Sequence, residues 1–181
     1  MVNKKINSQN KIIKESIFTA LMILMENKYF RDISITELTK KAGVSRMSFY
    51  RNYNSMEDVI TTYLDELFEE YSLQISSHEK NNNFDSVCLY FAYFRKHKKL
   101  ITNLINANLT NLIFDRYVKL FHLFPKDFEC KKLHSPEIDK YSVEFVSGGL
   151  YKVLIEWTKN GMKESDEDMA KMIYDLFLIN S

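Results

Sequence analysis

Ile35 to Ile60 read ITELTKKAGVSRMSFYRNYNSMEDVI, and this stretch decides the fold. Ser34-Ile35-Thr36-Glu37 is a capping box: a serine that can cap a helix, with glutamate three residues on. It predicts a short helix from Ile35 to Lys41 with Ile35 and Leu38 facing inward. Ala42-Gly43-Val44 interrupts it, because glycine takes positive φ without steric cost and alanine permits close approach. Ser45 is the next cap and opens a second short helix to about Asn52, anchored by Val44 and Phe49. Ser55-Met56-Glu57-Asp58 begins a third, with acidic residues that suit the positive end of the helix dipole. Its apolar side continues through Val59, Tyr63, Leu67 and Phe68 toward Ser76. Two short helices joined by a tight glycine turn form a helix-turn-helix, whose second helix can lie in the DNA major groove. Leu38, Val44 and Phe49 pin the pair, which leaves Arg46, Met47, Ser48, Arg51 and Asn52 facing out. The competing reading, a capped helical hairpin inside an ordinary core, leaves unexplained why Arg46, Tyr50, Arg51 and Tyr53 crowd so short a helix.

Outward from this unit the pattern stays helical. Ile13, Ile17, Ala20, Leu21, Leu24 and Met25 recur at 3.6-residue spacing, which predicts a helix from about Gln9 to Asn27 capped by Ser8. Asn27 can close it in the left-handed conformation. After a polar break at Asn81-Asn82-Asn83, aromatic-rich helices are expected near 85–95, 98–107 and 109–122. Pro125 and Pro136 bracket a loop containing Lys131, Lys132 and His134. A long helix then runs from about Glu137 to Lys159 and stops at Asn160-Gly161. Ser165-Asp166-Glu167-Asp168 caps the last helix, with Met169, Met172, Ile173, Leu176 and Phe177 as its apolar stripe.

Composition agrees. Only 4 Gly and 2 Pro occur in 181 residues, against average usage of about 7% and 5%; strand-rich folds need more turns. The fold class is therefore all-α. Cys88 and Cys130 lack metal-ligand spacing and read as reduced thiols. His78, His97, His122 and His134 form no ligand pattern, so neither metal nor cofactor is expected. No nucleophile elbow, phosphate loop, HExxH or carboxylate pair suggests an enzyme. The chain opens without a signal-peptide pattern and has no run of about 18 apolar residues, so a cytoplasmic protein is expected. Residues 1–60 carry 10 Lys+Arg against 6 Asp+Glu, a net of +4, and the remainder carries −3. A basic front suits a nucleic-acid reader.

The 35–60 stretch resembles the TetR family of transcriptional regulators. The matching residues are Ile35-Thr36-x-Leu38, Ala42-Gly43-Val44-Ser45, Phe49-Tyr50-x-x-Tyr53 and Ser55-x-Glu57, and with the first helix about fifty residues carry the likeness. The resemblance implies an N-terminal three-helix helix-turn-helix domain (1–54) and a C-terminal helical dimerisation and ligand domain (55–181). It also implies DNA contacts. Thr36 and Ser45 meet phosphates, Arg46 reads a base, and Met47 lies against a thymine methyl. Ser48 approaches a base or phosphate, Tyr50 clamps a phosphate, Arg51 adds a backbone contact, and Tyr53 completes the set. Asn52 and Tyr53 stand where many members carry histidine and phenylalanine. Met56 departs further, since a lysine usually follows the serine of the third helix. Lys4, Lys5, Lys40 and Lys41 can compensate or can be ordinary surface lysines.

Phe145, Gly148-Gly149, Trp157, Gly161 and the acidic cap before the last helix resemble a TetR subgroup that includes regulators of dihydroxyacetone-kinase genes. By that resemblance Gly148, Gly149, Lys152, Met169, Ile173 and Phe177 form a homodimer face, the alternative for the glycines being close packing within one subunit. Phe91, Phe94, Phe114, Tyr117, Phe121, Tyr151 and Trp157 either line a pocket for a small apolar or aromatic effector or are plain core. The expected function is a regulator, by expectation a repressor, that binds palindromic double-stranded operator DNA as a homodimer under effector control. The alternative is an activator controlled by a protein partner without a small-molecule inducer.

Overall fold

A computed structural model of the chain describes residues 2–77, 83–123 and 136–178, and contains nine α-helices, one 3-10 turn and no strand among them. The expected breaks at Asn81-Asn82 and after Pro125 lie outside the described residues, as do Phe124 and Cys130. The order is α1 (Val2–Met25), a 3-10 turn (Phe30–Asp32), α2 (Ile35–Ala42), α3 (Arg46–Asn52) and α4 (Met56–Ser77). After these come α5 (Asn83–Lys96), α6 (Lys98–Asn106), α7 (Asn111–Leu123), α8 (Pro136–Lys159) and α9 (Asp166–Leu178). No helix among the described residues is long and apolar enough to cross a membrane.

Side-chain caps set the helix starts. Ser34 Oγ accepts from Glu37 N at 3.1 Å, Ser45 Oγ from Ser48 N at 3.0 Å, Ser55 Oγ from Asp58 N at 3.1 Å and Ser165 Oγ from Asp168 N at 3.0 Å. Each satisfies a backbone donor that the first helical turn leaves unpaired. The capping box at Ser34 is only half made, because Glu37 turns its carboxylate to Lys28 Nζ at 2.8 Å instead of reaching back to the cap. The helix start expected at Ser8 lies earlier: α1 runs through Ser8 to Val2.

Three helices stop on left-handed residues by one pattern. The residue after the turn donates five positions back, and the turn residue donates three back, which pairs carbonyls the last turn leaves open. α2 closes on Gly43 at φ 69° with Val44 N to Thr39 O at 3.0 Å. α6 closes on Asn108 at φ 57° with Leu109 N to Leu104 O at 2.9 Å. α8 closes on Gly161 at φ 80°, and Met162 follows at φ 50° with its N–H on Trp157 O at 2.8 Å. Asn27 does otherwise. It keeps negative φ and ends α1 with its side chain, which donates to Ile23 O at 3.2 Å.

Leu38 and Phe49 are fully buried between α1, α2 and α3, and Phe18 of α1 stacks on Tyr63 of α4 at 3.5 Å between ring centroids. The end of α1 is tied to α6, where buried Asn103 donates its amide to Met22 O at 3.0 Å and Lys99 pairs with Glu26. At the other end Arg95 of α5 holds the turn between α8 and α9. Its guanidinium lies 4.6 Å over the Trp157 ring and donates to Asp166, to Glu164 O and, at 2.8 Å, to Met162 O.

A Cβ added at Gly43 would meet open space, so only the backbone conformation opposes a side chain there. Gly43→Ala is expected to lower stability by about 1–2 kcal/mol, the left-handed penalty of an L-residue. Urea denaturation checks this, and an unchanged midpoint would contradict it.

Candidate nucleic-acid interface

The residues singled out for DNA contact separate into two groups. Thr36, Ser45, Arg46, Met47, Tyr50 and Arg51 are exposed, with Met47 at 65% of its full surface, and Ser48 is half-buried. All lie on α2 and α3 or on the cap between them. Tyr53 belongs to the second group. It is the C-cap of α3, its φ of −144° turns it inward, and only 4% of it is exposed. Its ring lies 5.8 Å from Phe49 and 49° from parallel, behind the recognition helix. Burial, with Glu66 and Asp58 nearby, pushes its hydroxyl pKa up to about 12.

Within α3 the hydrogen-bonding side chains are partly committed. Ser45 Oγ and Ser48 Oγ lie 2.9 Å apart, and Asn52 Nδ2 donates to Ser48 O at 2.8 Å. Arg46 and Arg51 carry the positive charge of this helix, and exposed Lys40 and Lys41 extend it along the last turn of α2. At the start of α4, Met56 packs against the core, while Asp58 accepts from Asn54 N at 2.9 Å. That helix start therefore offers no cation of its own.

The rings expected around an effector are closely packed. Phe91, Phe94, Tyr117 and Trp157 are buried, and Phe114 and Tyr151 are half-buried. Phe94–Tyr117 centroids are 5.5 Å apart, Phe91–Trp157 5.3 Å and Phe114–Tyr151 4.9 Å, all ordinary ring contacts. The Tyr90 and Tyr117 hydroxyls bond to one another, and Tyr90 also donates to Leu150 O at 3.1 Å. Burial drives the Tyr71, Tyr90 and Tyr117 hydroxyls up from the ordinary tyrosine value. Tyr71 OH and Trp157 Nε1 have no hydrogen-bond partner among the described residues. Phe121 lies on α7, its side chain outside the described set.

The last two helices present a different selection from the one the sequence suggests. Met169 and Ile173 are buried against α5 in the same chain. The outward row of α9 is Met172 and Leu176, and that of α8 is Tyr141, Phe145, Gly149 and Lys152, with Phe145 75% exposed. Periodicity alone merges the two faces of α9, because Met169, Met172, Ile173 and Leu176 all fit an apolar stripe. A Cβ at Gly148 or Gly149 would meet nothing within 4 Å, so packing inside the subunit does not require either glycine. Phe177 lies on α9, its side chain outside the described set. Sequence reasoning had no signal for Asn103 or Arg95, whose partners lie 81 and up to 71 positions away.

Residues 81–178 match the family described as the transcriptional regulator C-terminal region of the TetR type. The chain belongs to the TetR family of transcriptional regulators. No curated protein matches it at a significant level. Several solved structures share the TetR-type fold. Lin0861 from Listeria innocua superposes with a TM-score of 0.76 at 15% identity, covering 96% of this chain and 93% of that one. A TetR transcriptional regulator from Streptococcus agalactiae gives 0.70 at 17%, covering 97% and 98%. The dihydroxyacetone kinase operon activator DhaS gives 0.65 at 16%, covering 93% and 95%.

The position of Met56 has a measurable consequence. Each phosphate neutralised by a cation steepens the fall of log K with log salt by about 0.9 for duplex DNA. Met56→Lys is therefore expected to tighten DNA binding at low salt and to steepen the slope by about one unit. Anisotropy titrations between 50 and 200 mM salt, values of about the usual working range, read this out; a parallel pair of lines would contradict it.

Proposed function

We propose that this TetR-family chain binds palindromic operator DNA as a homodimer, with residues 1–54 reading the site and 55–181 dimerising and receiving the signal. The observation that carries the reading is the outward face of α3. Two arginines, a methionine and a tyrosine stand in solvent there, on a helix held from behind by Phe49 and Tyr53. In this reading Arg46 forks onto guanine O6 and N7. Thr36, Ser45, Tyr50 and Arg51 hold phosphates and fix the register. Tyr53 acts as a buttress, not a contact.

Dimerisation through α8 and α9 is supported by Phe145, Met172 and Leu176, large apolar side chains left exposed in one copy. Gly148 and Gly149 support it too. Mid-helix glycine costs about 1 kcal/mol relative to alanine, and nothing among the described residues explains that cost. A second copy approaching closely over Gly149 does. Met172 and Leu176 take the places in this face that the sequence pattern gave to Met169 and Ile173. Two-fold symmetry then sets the recognition helices about one DNA turn apart.

Repression relieved by a small apolar or aromatic effector is the first reading of control. It is supported by the Tyr71 hydroxyl and Trp157 indole N–H, buried donors without a partner among the described residues that a polar group on a ligand would satisfy. The second reading is activation through a protein partner, favoured by the close contact of the rings a ligand would have to part and by the fold likeness to an operon activator. No catalytic role is proposed.

Selection of bound duplexes from a random pool tests the DNA-reading role. The wild type is expected to return inverted half-sites, and Arg46→Ala to bind with relaxed preference at one position per half-site, losing about 1–3 kcal/mol of discrimination there. An unchanged preference would contradict the assignment. A reporter behind the selected site separates the two modes of control, since removing the chain raises transcription under the first reading and lowers it under the second.

A further inference from the structure

The recognition helix offers two chemistries to the groove, cationic and apolar. Its hydroxyl and amide side chains are largely turned back on the helix, with Ser45 and Ser48 bonded to one another and Asn52 to Ser48 O. Arg46 supplies hydrogen bonds. Met47, in the first turn and 65% exposed, supplies only an apolar surface, and Tyr50 lies one turn on along the same side. The first turn of a recognition helix is the part that reaches base edges. In the major groove the only apolar group an unmodified base pair presents is the 5-methyl of thymine. A long, flexible thioether suits a contact of that shape, since it adapts to an irregular apolar surface.

We infer that Met47 reads a pyrimidine 5-methyl group beside the base read by Arg46, so the protein senses that methyl on cytosine as well as on thymine. This rests on the DNA-reading role proposed above. The methyl of 5-methylcytosine occupies the same place at the groove wall as that of thymine. The exocyclic group at the neighbouring ring position differs, an amino donor replacing the thymine O4 acceptor. Met47 has no polar atom suited to telling these apart strongly, whereas it loses contact when the methyl is gone. DNA methylation within the half-site thus becomes an input to binding, separate from anything the C-terminal region receives.

The test uses the full-length protein and the duplex recovered by selection. At each thymine the base is replaced in turn by deoxyuridine opposite the retained adenine, and by cytosine or 5-methylcytosine with guanine placed opposite, and affinity is measured by anisotropy for wild type, Met47→Ala and Arg46→Ala. At one thymine per half-site, removing the methyl with deoxyuridine is expected to weaken the wild type about three- to fourfold, the worth of burying one such group. 5-Methylcytosine there should bind more tightly than cytosine by a similar factor. Met47→Ala, confirmed as folded by its helical circular dichroism, should bind the two members of each pair equally, while Arg46→Ala retains the difference. Specific binding by the wild type that no deoxyuridine alters overturns the proposal and leaves the DNA-reading role standing, and so does a Met47→Ala protein that keeps the full methyl effect. Failure to select any duplex overturns both.

Discussion

The left-handed turn at Gly43 is the constraint from which the reading face follows. It reverses the chain within three residues, lets Val44 N–H close on Thr39 O, and hands the next residue, Ser45, over as a cap for α3. With the turn fixed, Leu38 and Phe49 meet in the core. The side of α3 opposite Phe49 has no choice but solvent. Exposure of Arg46, Met47, Tyr50 and Arg51 is therefore a consequence of the backbone turn that precedes α3, not a property of those side chains.

Polar contacts among the described residues tie the first three helices to the rest of the molecule. Asn103 of α6 donates to the last turn of α1, where helical carbonyls lack partners of their own, and the Lys99–Glu26 pair lies beside it. α4 is the continuous path, since its start caps the head and its later turns pack against α5 and α7. Arg116 joins it to α7 by donating to Asp65 at 2.9 Å. Arg95 does the corresponding work at the far end, where it orients α9 through the turn after α8. Among the described residues the main contacts between α5–α9 and the first three helices run through α4 and through α6 against α1.

What was legible in the sequence is what local chemistry decides. Ser34, Ser45, Ser55 and Ser165 announce their helices through a bond three residues long, and Gly43 and Gly161 announce two of the stops. The other left-handed stop, at Asn108, falls in the break between the helices expected near 98–107 and 109–122, and asparagine is, after glycine, a residue that readily takes that conformation. Met162 also adopts positive φ, in a turn where Arg95 donates to its carbonyl. Ser8 shows the limit from the other side: a good capping residue does not stop a helix that the following residues and the preceding ones both favour. Tyr53 matched a motif by residue type, yet its direction depends on where α1 and α4 leave room for a ring. The same holds for α9, where inward Met169 and outward Met172 are equivalent until α5 is in place.

The central claim is that two copies of this head, joined through α8 and α9, read one duplex. Hydroxyl-radical footprinting on the selected duplex tests it most directly, with wild type and Phe145→Glu compared at equal concentration. The wild type is expected to protect two patches on one face of the DNA, centred about one helical turn apart, and Phe145→Glu, deprived of its apolar contact with the second copy, to give faint protection of both only at much higher concentration. A single protected patch for the wild type, or an undiminished double footprint for the variant, would contradict it.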